Sequence, residues 1–125
     1  MSSELLTGGH IETTRMNIHE LTRQLNSHLG PTLVATLAGV RDRKLPHKWA
    51  KEDGPEPRDE ARAKLLAAHR IWRLVSEAEN DSVARSWFIG ANPRLEETAP
   101  VMMLREGKIQ DVIFAAQAFV EGTDD

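Results

Sequence analysis

The sequence predicts an all-α protein, and three observations carry that prediction. Apolar residues recur at three- and four-residue spacing over most of the 125 positions, helix caps and stops punctuate the chain at short intervals, and no stretch alternates with period two. Apolar residues make up 40% of the chain, enough for a packed interior. The length suits one domain, or two small halves sharing a core. A small bundle of about seven short helices follows from the start and stop signals.

Residues 1–13 show no sustained period and contain Gly8-Gly9, so a mobile leader is expected there. Asn17 is placed to cap a first helix, with Glu20 as capping-box partner, and Ile18, Leu21, Leu25 and Leu29 form its apolar stripe. Gly30-Pro31 ends it, since glycine suits a left-handed stop and proline can open the next helix. Thr32 to Leu37 is a short apolar helix and Ala38-Gly39-Val40 a turn. Asp42 then caps a helix running to Ala50, with Pro46 in the first turn, where a missing amide donor costs least. Glu52 to Arg58, with one glycine and two prolines, is a linker.

The longest helix is expected from about Asp59 to Glu79. Ala61, Leu65, Ala68, Trp72 and Val75 step along one face, widened by Ile71, Leu74 and Ala78. Asn80-Asp81 breaks and recaps the chain for a short helix with Val83, Ala84, Trp87 and Phe88 inward, closing at Gly90. Ala91-Asn92-Pro93 is a turn. Thr98 is placed to cap a helix with Pro100 in its first turn, stopped at Gly107. A final helix from about Lys108 to Val120 carries Ile109, Val112, Ile113, Ala116, Phe119 and Val120 on one side. Three regions result: a leader at 1–13, a helix-turn-helix region at 14–58, and a helical region at 59–125.

Charge is unevenly spread. Net charge is −3, yet Arg41 to Lys51 holds five bases against Asp42, while Leu95 to Asp125 holds seven acids against Arg105 and Lys108. Two surfaces with different partners are expected. The absence of cysteine excludes disulfides, thiolate metal sites and cysteine nucleophiles. No apolar run approaches the ~20 residues of a membrane span, and Met1-Ser2-Ser3-Glu4 lacks the basic start of a signal peptide. A cytoplasmic protein with no membrane association is expected.

No catalytic or metal constellation emerges. His10, His19 and His28 are nine residues apart, so on a helix His19 and His28 face opposite ways. His19-Glu20 starts like a zinc-protease motif, but Arg23 occupies the position four residues on that a second histidine would need. Glu96-Glu97 sit in a turn-like stretch, and Gly8-Gly9 lacks the strand and helix of a phosphate loop. No enzyme, metal or cofactor is therefore expected. The stronger pattern spans residues 31–51, where a short apolar helix, a glycine turn and a basic helix form a helix-turn-helix pattern. Arg41, Arg43, Lys44, His47, Lys48 and Lys51 have the reach to meet phosphates and base edges, while Leu45 and Trp49 turn inward. An acidic chain binds DNA weakly alone, so a homodimer is expected.

The segment Trp87-Phe88-Ile89-Gly90-Ala91-Asn92-Pro93-Arg94-Leu95, followed by Pro100, Leu104-Arg105, Gly107, Val112 and Gly122, resembles the Xre/ParS-type toxin-binding antitoxins of RES-domain toxins. Trp49 matches the tryptophan late in that family's recognition helix, and the likeness spans about residues 17–122. Pro46 departs from it, standing where a β-branched or other apolar residue is more usual. The resemblance implies a helical bundle whose C-terminal region blocks the cleft of an NAD-degrading toxin, forming a hetero-oligomer, and whose helix-turn-helix binds operator DNA. It points to Arg94, Arg105, Lys108, Phe119, Glu121, Asp124 and Asp125 as toxin-binding candidates, with the acids aimed at a cationic pocket. The alternative is an inhibitor module whose helix-turn-helix no longer binds DNA.

Overall fold

The computed structural model describes residues 16–122, so the leader expected at 1–13 lies outside the described residues. Among the described residues there are seven α-helices and no strand. They are α1 (Ile18–Leu29), α2 (Pro31–Ala38), α3 (Leu45–Trp49), α4 (Asp59–Ala78), α5 (Asp81–Ile89), α6 (Pro100–Arg105) and α7 (Ile109–Glu121), with a 3-10 turn at Pro93–Leu95. The all-α expectation is met. No helix among the described residues is long and apolar enough to cross a membrane.

The 20 residues of α4 form the spine, touching α1, α2, α5, α6 and α7. Ala61, Leu65, Ala68, Ile71 and Val75 of its stripe are buried, as are all four stripe residues of α1. Trp72 and Leu74 are half-buried, and Ala78 is exposed because the chain leaves the helix one residue later. Buried side chains from both sides of the linker join one cluster, running from Ile18 through Leu37 and Trp49 to Leu104 and Val112. Burying a leucine or valine contributes about 1.5–3 kcal/mol, so this shared cluster is what binds the two regions into one body.

Several helix ends follow the sequence and several depart from it for local reasons. Asn17 caps α1, its Oδ1 accepting the Glu20 amide at 2.9 Å, but the Glu20 carboxylate turns to Arg23 and Gln24 instead of closing the box. Gly30 has the positive φ, +89°, that favours glycine, but its ψ of +143° lies outside the left-handed helical region. Pro31 dictates this, because its ring crowds the preceding residue out of helical ψ. Asp42 opens a turn before α3 and does not cap the helix: its Oδ1 accepts the Lys44 amide at 2.9 Å and its carbonyl the Leu45 amide at 3.1 Å. Pro46 has no amide hydrogen to reach the Asp42 carbonyl, so helical bonding begins only with the Lys48 amide to Lys44. The residue ahead of α6 is Ala99, not Thr98, because Pro100 is already the first helical position.

Glu96 and Glu97 have φ of +54° and +67°. The Thr98 amide bonds the Leu95 carbonyl at 3.0 Å across them, giving a tight turn of the kind usually built from Asn and Gly. Two L-residues held there cost about 1 kcal/mol or more each. Glu97→Gly is expected to stabilise the fold by about 1 kcal/mol, read as a raised denaturant midpoint at unchanged slope.

Candidate functional site

The basic segment is held from beneath. The Ala50 amide bonds the Pro46 carbonyl and the Lys51 amide that of Lys48, and α1 adds side-chain donors to the same stretch of α3. The His19 Nδ1–H donates to the Trp49 carbonyl at 2.8 Å, Asn26 Nδ2 to Pro46 at 3.0 Å and Arg23 Nη2 to Ala50 at 3.1 Å. Trp49 and Pro46 are buried and Leu45 half-buried, which fixes the opposite face outward. Arg41, Arg43, Lys44, His47, Lys48 and Lys51 are all exposed. Among the described residues, no ion pair neutralises these six side chains. Sequence reasoning found the cations but missed His19, Arg23 and Asn26, which sit on the polar side of the α1 stripe with no local signal of a role.

Behind α3 lies a concavity of about 450 Å³, with Leu45, Trp49, Val40 and Pro57 on its apolar side and Lys64 and Glu60 among its polar residues. Lys64 donates to the Arg105 carbonyl at 2.7 Å, and the Arg105 guanidinium donates to the Thr36 carbonyl at 2.8 Å. The first bond ties α4 to α6, and the second ties α6 to the end of α2 that leads into the α3 turn.

The C-terminal candidates do not form one cluster. Arg105 is half-buried in the tie to α2, and Phe119 is half-buried beside Trp87, ring centroids 6.4 Å apart. Glu121 is exposed at the C-terminal end of α7. Arg94 and Lys108 lie at its other end, about 20 Å away along a 13-residue helix. Asp124 and Asp125 lie outside the described residues. Arg94 and Lys108 line a second concavity of about 540 Å³, with Glu96, Glu106, Asp111 and Phe114. Phe114 is 63% exposed. The sequence reading placed it within an apolar run and missed it as a surface residue; its position off the α7 stripe was the available signal.

The motif residues between Trp87 and Gly122 set the path of the chain. Asn92 is buried, and its Oδ1 accepts the Arg94 amide at 2.9 Å while its carbonyl accepts the Leu95 and Glu97 amides. Leu95, Pro100, Leu104 and Val112 are buried. Gly107 and Gly122 have φ of +86° and +75°, and close α6 and α7. Most motif residues are thus caps, stops or core contacts along the path to α7, whereas Ile89, Ala91 and Arg94 are exposed.

A polar node joins α1, α4 and α5. Asp81 Oδ1 accepts from the Trp72 indole at 2.8 Å and lies 3.0 Å from His28 Nδ1, while the His28 ring stacks on Trp72 at 4.2 Å. His19 and His28 therefore do face different neighbours. The Trp72 hydrogen bond, helped by His28 and opposed by slight desolvation, holds the Asp81 carboxyl below its ordinary value. A depressed carboxyl stabilises the fold above its unfolded value of about 3.8, and that contribution is lost as pH falls through the lower folded value. Trp72→Phe is expected to move the Asp81 titration back up toward its ordinary value, followed by NMR, and to shrink the stability lost between neutral and acid pH, followed by denaturant melts.

Compared with protein-family models, curated proteins and solved structures, the chain matches none.

Proposed function

We propose that this protein is a bacterial antitoxin that binds and blocks a RES-type, NAD-degrading toxin and represses its own operon through the basic face of α3. One observation supports the toxin half: most residues behind the resemblance are caps, stops and core contacts leading into α7, and α7 ends on the exposed Glu121. A rigid helix loses little conformational entropy on binding, which is what a cleft-blocking element requires. The acidic end of the chain complements a toxin cleft that otherwise receives the phosphates of NAD. No catalysis is assigned to the antitoxin itself. Its setting in this reading is the cytoplasm.

The DNA half rests on the six outward cations and on the α1 clasp that sets their direction. In this reading α2 and α3 are the paired helices of a helix-turn-helix, with α3 laid toward the major groove. A second reading, an inhibitor module that no longer binds DNA, is favoured by one feature. With Pro46 delaying its start, α3 spans only five residues and presents little length to a groove.

Two measurements test these halves separately. Co-expression with the RES-type toxin is expected to restore growth and preserve NAD, and Glu121→Gln with Asp124→Asn and Asp125→Asn to weaken that rescue. Undiminished rescue by the triple variant would remove the electrostatic account. For DNA, retarded migration of the operator is expected with the native chain. Arg43→Ala with Lys44→Ala should abolish it, or reduce the slope of affinity against salt by about two. No retardation by the native chain would leave the inhibitor-only reading.

A further inference from the structure

We propose that the concavity between α3, the linker and α4 is a binding site for a small carboxylic acid with an apolar body. Its volume of about 450 Å³ falls within the roughly 300–1,000 Å³ of small-molecule sites. Val40, Leu45, Trp49, Pro55 and Pro57 supply apolar walls, and Lys64 of α4 stands among them. The walls are fixed before any ligand arrives. Trp49 and Pro57 are buried, and Gly54 packs the linker so closely on the end of α3 that a Cβ there would overlap the Lys48 carbonyl oxygen. Pro55 and Pro57 further restrict the linker backbone on either side of Glu56. A preformed site loses little conformational entropy when it is filled.

Lys64 selects the charge of the occupant. Its Nζ donates to the neutral Arg105 carbonyl at 2.7 Å, and not to Glu60 one turn earlier on α4, the residue that helical spacing would pair with it. Among the described residues no carboxylate forms an ion pair with Lys64. The half-buried ammonium thus has no counter-charge and keeps two of its three donors. A Cβ at Gly39 would lie 3.0 Å from Nζ, so glycine leaves the ammonium open on that side. The rim charges balance: Glu56 and Glu60 are matched by Arg58 and by Arg62, which lies 3.4 Å from Glu56. Glu56, Arg58 and Glu60 are also exposed, where water screens them. A cationic or neutral occupant would shield Lys64 from water and give it no counter-charge. A carboxylate takes up its free donors while the apolar body covers Leu45 and Trp49, the inward residues of α3. No residue of this site belongs to the proposed toxin or DNA contacts, so the inference stands without the antitoxin reading.

Titration of the isotope-labelled full chain with phenylbutyrate, followed by NMR, tests this. Amide shifts are expected at Val40, Leu45 and Lys64, and an indole shift at Trp49, with a dissociation constant of about 1 mM or tighter. Phenylbutylamine, the same body with the opposite charge, should bind at least roughly tenfold more weakly. Lys64→Met should weaken binding of the acid by about the same factor. That variant also loses the bond to Arg105, so circular dichroism checks its fold; should it not fold, the comparison of acid with amine on the native chain decides. An absence of shifts around the concavity overturns the proposal, as does an amine that binds as tightly as the acid. A folded Lys64→Met that binds the acid as the native chain does would overturn it too.

Discussion

The dependence of the short helices on the core along α4 underlies the rest of the structure, with α3 reaching that core by way of α1 and α2. Isolated helices shorter than about 12–15 residues are marginal in water, because nucleation fixes several residues for the first hydrogen bond. The helices other than α4 are 5 to 13 residues long, whereas α4 has 20. The short helices gain their stability by burying apolar faces in the cluster built along α4, so the surface groups they carry are positioned by that burial. A loss at Leu65 or Ala68 would accordingly be felt at both candidate surfaces, though neither residue approaches solvent.

The two ends of the molecule solve different problems. At α3 the difficulty is a helix of only five residues, and three side-chain donors from α1 hold it in place. That clasp is polar, so it sets direction without adding apolar area. The cations opposite it gather on a chain whose net charge is negative, which concentrates attraction for an anion on one face and leaves the remainder repulsive to it. At α7 the difficulty is the exit angle, and the solution is covalent geometry: Pro93 and Pro100 open their turns with φ already suited to them, while Gly107 and Gly122 supply the positive φ that ends a helix. The strained pair Glu96-Glu97 lies between Pro93 and Pro100, and Glu96 lines the α7 concavity.

The functional reading joins these ends. An antitoxin that also senses DNA needs one body carrying two separate contacts, and the single core spanning the linker provides that body. The Lys64–Arg105–Thr36 bonds join α4, α6 and α2. They make α6 and the approach to α3 mechanically continuous.

Much of this was legible in the sequence because it is governed by neighbours close along the chain. The stripes of α1 and α4, the caps at Asn17, Asn80 and Asn92, and the stops at Gly107 and Gly122 depend on contacts three to five residues apart, and all were readable there. So was the exposure of the six cations of the basic segment. Even local rules competed: at Gly30 the stop kept its positive φ while the following proline drove ψ out of the helical range, and at Asp42 the proline in α3 turned a cap into a separate turn. Tertiary structure alone decided which surface residues belong together. Arg105 turned inward to Thr36, Phe119 settled beside Trp87, and Arg94 joined Lys108 and Phe114, because those pairings span tens of residues and follow from how helices cross. Periodicity states which side of a helix faces inward, but only packing determines what stands opposite it.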